Sequence, residues 1–352
     1  MKKVLFVNPG QFGSITDTYF YCLNLKDLYS VSYFGIFEED SSVKCEGIDL
    51  IHLKLPFNSI LRKIIFIWEL FKFLKNNYFD YIIINYFLGS SIVTLFGKGK
   101  VNIDIRTGAI SRSNFKSFIL NFVLSVEVRM FDRISCISSS LSSYLNLPNR
   151  THILPLGAPL MPLFKKDFSV LKILYVGTFK ERNIEKTVYA FSKFISSLEN
   201  KKIATYTIIG FGSEIETQRI KDAIFLEGMQ DNIFFLGKVR FPELYTYLQE
   251  NNVGMSYIPI KKCFDNQPPT KTFEYLLSGM IVLATGTKEN IKVINDENGR
   301  ITDDSIDSIC EGLKIIFNNR MSFNSTNIQV SSKKFSWEYI VKSNLHEYIK
   351  KG

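Results

Sequence analysis

Lys271 and Glu274 stand three residues apart within residues 266–286, NQPPTKTFEYLLSGMIVLATG. On a helix that spacing puts both side chains on one face. Pro268 and Pro269 fit the first turn of such a helix, where a missing N–H costs nothing, and Gly279 supplies a left-handed stop. Ile281-Val282-Leu283-Ala284 then reads as a buried strand. The free N–H groups and the dipole at a helix start favour anions such as phosphate. A lysine there neutralises phosphate charge, and a carboxylate one turn on accepts hydrogen bonds from a ribose diol. A nucleotide-sugar is the simplest ligand that wants both. The same pair is also the ordinary sequence of a solvated surface ion pair, so the surrounding elements must decide.

A helix start faces a ligand when the helix joins two parallel strands and lies at their C-terminal edge. The second half of the chain has that alternation. Residues 172–176 read as a strand and Gly177-Thr178-Phe179-Lys180-Glu181-Arg182 as a loop, followed by a helix over 184–198. A strand over 205–209 ends in Gly210-Phe211-Gly212-Ser213, with Ser213 placed to cap the next helix. A strand over 232–236, the loop Gly237-Lys238-Val239-Arg240 and a helix over 242–250 opened by Pro242 come next. A strand over 254–258 leads into the Lys271 stretch.

The first half alternates in the same way. Residues 4–7 form a strand, and Asn8-Pro9-Gly10-Gln11-Phe12-Gly13 is a turn that lets a ligand approach the backbone, or simply a turn. A helix over 16–28 and strands over 31–37 and 48–53 follow, the last closed by Leu55-Pro56. Strands over 81–85 and 101–105 come later, and the second ends at Arg106, read either as a ligand contact in the crevice or as a rim ion pair. In the helix over 59–76, Ile60, Ile64, Ile67, Phe71 and Leu74 form one stripe, with Arg62, Lys63, Lys72 and Lys75 elsewhere. A second helix over 115–131 has Lys116, Arg129 and Arg133 near its ends. Basic amphipathic helices lie on anionic membranes or pack a domain with their lysines in water, and one helix can do both. Residues 158–167, with two prolines and a Lys pair, read as a linker.

The whole chain has 352 residues, long enough for two or three domains with proper cores. Its 46% hydrophobic content excludes a disordered or fibrous class. The cysteines (Cys22, Cys45, Cys136, Cys263, Cys310) are scattered and odd in number, without a CxxC pair, so neither a disulfide frame nor a zinc site is expected. The opening apolar run stops at Asn8-Pro9, too soon for a signal peptide, and no apolar window is long enough to span a membrane. A cytoplasmic protein is expected. The net charge of +9 points to an anionic partner. Its Lys and Arg are interspersed with acids and form no nucleic-acid motif, so no nucleic-acid partner is expected.

Together these segments resemble the GT-B glycosyltransferases, specifically the retaining family 4. YVGTFKERNIEKTVYAF is similar to the family's strand, basic loop and helix, YTIIGFGSEIE to its glycine turn, and NIFFLGKVRFPELYTYLQENNVGMSYIP to its next strand–helix run. PTKTFEYLLSGMIVLATGTKENIKVINDENGRI resembles its most distinctive segment. Asp132–Ser138, Leu154–Gly157 and Phe335–Trp337 match further places. The resemblance implies an α/β chain of two Rossmann-like doubly wound domains facing a central cleft. Residues 1–165 would form an N-terminal acceptor domain, 166–335 a nucleotide-sugar domain, and 336–352 a helix returning to the N-terminal domain.

The resemblance also implies roles. Lys271, Arg182 and Asn266 would be catalytic; Glu274, Lys271, Arg182, Lys180, Gly177, Val239 and Thr270 would bind donor; Gly10, Gly13 and Arg106 would serve the acceptor side. The donor is a nucleoside-diphosphate sugar used as substrate, with no metal or other cofactor. The acceptor is a sugar or lipid-linked sugar, and the expected reaction is retaining hexosyl transfer in surface polysaccharide or lipid-linked oligosaccharide synthesis, peripheral on the inner face of the cell membrane at an anionic lipid surface. One departure concerns the family's two glutamates, eight positions apart: Glu274 is present, but the earlier position is Asn266, with Asp265 adjacent. The other is the absence of consecutive glycines in the N-terminal loop. A noncatalytic subunit of a transferase complex and a sugar-nucleotide epimerase are the alternatives. A nicotinamide dehydrogenase is disfavoured, because no GxGxxG follows the first strand.

Overall fold

In a computed structural model the described residues are 1–37, 45–55, 59–109, 113–163 and 165–351. Pro56 lies outside them, as do the side chains of Ile60, Pro242 and Cys263. The chain forms two compact units, Met1–Gly157 with Trp337–Gly352, and Ala158–Ser336.

The first unit holds a parallel sheet of β1 (Lys3–Val7), β2 (Ser30–Ile36), β3 (Ile48–Leu53), β4 (Tyr81–Asn85), β5 (Lys100–Ile105), β6 (Arg133–Cys136) and β7 (His152–Ile153). Their order is β3-β2-β1-β4-β5-β6-β7. Residues 4–7 and 81–85 are buried on both faces, as unbroken apolar runs in a helix-covered parallel sheet must be. The connections are α1 (Thr16–Leu25), α2 (Ser59–Asn76), a 3-10 turn over Ser90–Leu95, α3 (Asn114–Val128) and α4 (Ser139–Tyr144). Parallel crossovers are right-handed. Those from β3 to β4, β4 to β5 and β5 to β6 run one way across the sheet, so α2, the Ser90–Leu95 turn and α3 share one face. The β1-to-β2 crossover runs the other way and puts α1 on the opposite face.

The stripe expected on α2 is corrected here. Phe66, Leu70 and Leu74 turn into the core, whereas Ile64 is 60% exposed. Apolar residues flank the charged Arg62, Lys63, Glu69, Lys72 and Lys75 on several sides, so more than one apolar stripe can be drawn on the helix.

The second unit has β8 (Leu171–Thr178), β9 (Ala204–Phe211), β10 (Ile233–Gly237), β11 (Val253–Ser256), β12 (Ile281–Thr285) and β13 (Gly299–Thr302), in the parallel order β10-β9-β8-β11-β12-β13. Between them run α5 (Glu185–Ser196), α6 (Glu214–Leu226), α7 (Phe241–Glu250), α8 (Lys262–Asp265), α9 (Thr270–Leu277) and α10 (Lys288–Ile291), followed by α11 (Ile306–Asn319) and α12 (Ser325–Ser332). Ser213 caps α6 in a full capping box with Glu216. Pro268 and Pro269 precede α9 and do not enter its first turn, and Gly279 ends it at φ 70°.

The boundary between units falls after Gly157, not after 165, and residues 158–167 do not behave as a free linker. Met161 is buried in the second unit's core, and the buried Lys166 ammonium donates to the carbonyls of Leu248 and Gln249 at the end of α7 (both 2.6 Å). A cation there satisfies carbonyls that have no partner within the helix. No helix of the described residues is long and apolar enough to cross a membrane.

The C-terminal residues form α13 (Trp337–Ile340) and α14 (His346–Lys350) on the α1 side of the first unit. Trp337 is buried against Phe20 (ring centroids 5.8 Å) and Tyr21 (5.5 Å), and Gly157 leaves room for its indole. Removing a buried tryptophan costs about 3–5 kcal/mol. Trp337→Ala should lower stability by that order, read as a lower urea midpoint for the first unit.

Candidate functional site

The site is assembled by α9, which follows β11 and precedes β12 at the middle of the second sheet. Tyr275 fixes it: its hydroxyl accepts the Val176 amide at the end of β8 (2.8 Å), and its ring fills the space above Gly254, where a Cβ would come within 2.2 Å. Ser256 and Thr272 hydroxyls lie 2.6 Å apart, and Thr272 donates to Asn290 (2.9 Å). These buried bonds tie the start of α9 to β11 and α10.

Lys271 stands one turn before Tyr275 on the same helix. Its Nζ donates to the Tyr257 carbonyl (3.1 Å) and lies 3.9 Å from the centre of the Tyr175 ring. Gly177 sits beside it, since a Cβ there would be 3.7 Å from Nζ. Among the described residues no ion pair joins Lys271 to Glu274, and the Glu274 carboxylate makes no hydrogen bond. The solvated-pair reading therefore does not describe these two residues. Burial holds the Lys271 ammonium well below the ordinary lysine range; Arg182 lowers it further, and Glu274 opposes both. Burial pushes the Glu274 carboxyl up to about 7, against the pull of Lys271.

Arg182 comes from the β8–α5 loop and stacks on the Phe264 ring (3.7 Å to its centre). It stands between two left-handed residues, Glu181 (φ 57°) and Asn183 (φ 50°). Such a conformation is costly for glutamate, and the Glu181 amide is held by the Glu216 carboxylate (2.9 Å). A cavity of about 190 Å³ lies beside this loop, lined in part by Glu181, Glu185, Arg219 and Lys261. It is not lined by Lys271 or Glu274, which belong to a different part of the sheet edge.

The other expected residues divide. Gly177, Arg182, Lys271 and Glu274 are brought together, and Thr270 opens α9. Asn266 is buried; its Nδ2 donates to the Lys262 carbonyl (3.0 Å) and its Oδ1 accepts Lys288 Nζ (3.1 Å). Asp265 holds the Lys288 amide and ammonium. Lys180 is exposed and its charge acts on Glu216, and Val239 packs against the unit's core. In the first unit Gly10 and Gly13 lie in the turn after β1, where the Gly10 carbonyl accepts from Tyr33 Oη (2.8 Å) and the Ile36 amide. Arg106 is the ion-pair alternative: its side chain is 10% exposed, its Nε bonds Asp17 (2.5 Å) and its Nη1 the Leu154 carbonyl (2.8 Å), while Nη2 is buried with no hydrogen-bond partner among the described residues.

Tyr175, Tyr257, Phe264 and Lys288 were not foreseen as parts of the site. Strand periodicity marks the two tyrosines only as core, and only the packing of α9 brings Tyr175 under Lys271.

The two parallel sheets and their helices define the GT-B fold, and solved GT-B glycosyltransferases match nearly the whole chain. Sucrose-phosphate synthase from Thermosynechococcus elongatus does so at TM-score 0.79 and 15% identity, over 99% of both chains. The Anabaena protein HepE, solved with UDP and glucose, matches at 0.75 and 11% over all of both chains. The lipopolysaccharide outer core galactosyltransferase WaaB matches at 0.74 and 12%, over 99% of this chain and all of that one. No protein-family model and no curated protein matches by sequence.

A carboxyl raised in the fold is protonated there while still ionised in the unfolded chain. Stability from this group is therefore present below the ordinary value near 4.5 and is lost as pH rises to about 7. The unfolding midpoint of Glu274→Gln relative to the wild type should climb across that interval and level off above it. A flat difference would contradict the placement.

Proposed function

We propose that the chain is a retaining glycosyltransferase of the family 4 type, moving a hexosyl group from a nucleoside-diphosphate sugar to an acceptor without a metal. The observation that carries this reading is the convergence of Lys271, Arg182 and Glu274 at the C-terminal edge of a GT-B sheet, on α9 and the β8–α5 loop. Lys271 and Arg182 are two cations held close in a desolvated setting, where each destabilises the other's charge. An arriving diphosphate removes that penalty, and the developing charge on the leaving phosphate strengthens the attraction in the transition state. Glu274, its oxygens without hydrogen-bond partners among the described residues, suits the two hydroxyls of a ribose. That HepE was solved with UDP and glucose supports this donor class. The acceptor is a sugar or lipid-linked sugar of surface polysaccharide or lipid-linked oligosaccharide synthesis, handled on the cytoplasmic face of the membrane; the fold neighbour WaaB works on lipopolysaccharide outer core.

Asn266 favours one second reading. It occupies the place of the family's first glutamate and is engaged by Lys288, which suits a GT-B subunit that binds nucleotide and supports a partner transferase without catalysing. Incubation with sugar nucleotides separates the readings. Slow release of nucleoside diphosphate, with the freed sugar keeping its anomeric configuration, supports the transferase. Tight nucleotide binding with no turnover of any donor supports the subunit, and an isomerised sugar nucleotide without an acceptor supports an epimerase.

Two outcomes are expected for the site. Lys271→Ala should lower donor turnover about a hundredfold or more, and Glu274→Ala should weaken nucleoside-diphosphate binding about tenfold, with neither substitution unfolding the protein. Wild-type activity in both variants would sink the assignment. Because burial and Arg182 hold the Lys271 pKa down in the free protein and a diphosphate beside it would raise it, binding is linked to protonation and takes up a proton where the pH exceeds the depressed value. Titration calorimetry should then show a binding enthalpy that depends on the buffer's ionisation heat, with affinity falling as pH rises.

A further inference from the structure

We propose that the outer face formed by α2, the Ser90–Leu95 turn and α3 in the first unit is the surface by which the protein docks on an anionic lipid bilayer. The three elements touch in sequence. Phe71 on α2 packs on Phe96 after the turn (4.7 Å between ring centres), and Glu127 on α3 accepts from the Gly89 amide and the Ser91 hydroxyl (2.8 and 3.0 Å).

On α3 the residues Phe115, Phe118, Ile119, Phe122 and Val126 are 73, 68, 43, 63 and 50% exposed. Their spacing places them on one stripe, opposite the buried Leu124 and Val128. A soluble helix ordinarily presents polar residues there. Leu61, Ile64 and Trp68 on α2 and Leu95 on the turn add exposed apolar groups at 47, 60, 55 and 74%. An apolar surface shared by three neighbouring elements exceeds the scattered exposed residues of a solvated protein.

Charge selects the occupant. Residues 59–76, 88–98 and 113–130 contain seven Lys and Arg against two acids, a net of +5. Glu69 offsets Lys72, with which it is paired (2.8 Å), and Glu127 is turned inward on Tyr86, Gly89 and Ser91, so the remaining cations set the charge of the face. Two copies meeting through this face would bring like charges together. An anionic membrane meets both its parts, with aromatic and aliphatic side chains entering the acyl boundary and cations remaining among the headgroups.

The purpose of this docking rests on the membrane-side transferase reading, but its measurement does not. The purified full chain is to be sedimented with phosphatidylcholine vesicles with and without phosphatidylglycerol. Phe118→Ser/Phe122→Ser is assayed in parallel, together with thermal-shift binding of nucleoside diphosphate. The wild type should sediment only with the anionic vesicles. The double variant, altered at exposed positions, should keep its melting temperature and nucleotide response while losing about tenfold or more in partition. Lys72→Glu/Lys116→Glu should lose partition steeply at low salt, and the wild type should be released as salt rises. Absence of wild-type binding, or unchanged binding in the double aromatic variant, would overturn the proposal. So would light scattering that finds a wild-type dimer converted to monomer by the aromatic substitutions, since the face would then join two copies. Vesicle binding without any nucleotide response would leave the docking surface standing and remove the donor-site reading instead.

Discussion

The buried hydrogen bond from the Val176 amide to the Tyr275 hydroxyl is the constraint on which the candidate site depends. Val176 lies at the end of β8, just before the loop that carries Arg182, and Tyr275 is the residue after Glu274. One bond therefore couples the two segments that supply the cations and the carboxylate. It adds only about 0.5–1.5 kcal/mol by itself, but leaving either buried partner unmatched would cost more. Gly254 is part of the same arrangement, because any side chain on β11 at that point would displace the Tyr275 ring. The polar face of α9 is in this way set by what its apolar face must bury.

That geometry explains an electrostatic state that is uncomfortable without a ligand. Lys271 rests on a tyrosine ring and one carbonyl, Arg182 raises the cost of its charge, and Glu274 stands near without closing an ion pair. A structure selected for stability alone would pair the two or expose them. Holding them apart, half-buried, leaves their attraction available to something else, which is the arrangement expected where binding energy is to be spent on an anion.

The first unit follows from the crossover rule. Once the strand order places β4, β5 and β6 to one side of β1, the three connections to them are forced onto a common face. Their outward residues then form a single surface whether or not each helix alone would suggest one. The opposite face holds α1 and is closed by Trp337 and the C-terminal helices.

The sequence by itself determined the two β–α alternations, the caps at Ser213 and Gly279, and the pairing of Lys271 with Glu274 on the start of one helix. These are local matters of period, capping and backbone freedom, and a resemblance spread over many short segments added the GT-B fold. Only the tertiary structure decided which stripe of α2 is buried, since Ile64 and Leu74 are equally apolar and only the sheet beneath distinguishes them. It also decided that residues 158–167 belong to the second unit, through Met161 and Lys166, and that Arg106 pairs with Asp17. The same holds for Tyr175, far from Lys271 in the chain, and for Tyr257, both indistinguishable from core residues until α9 is docked. Side-chain surroundings that join distant segments depend on packing, and no periodicity in the chain encodes them.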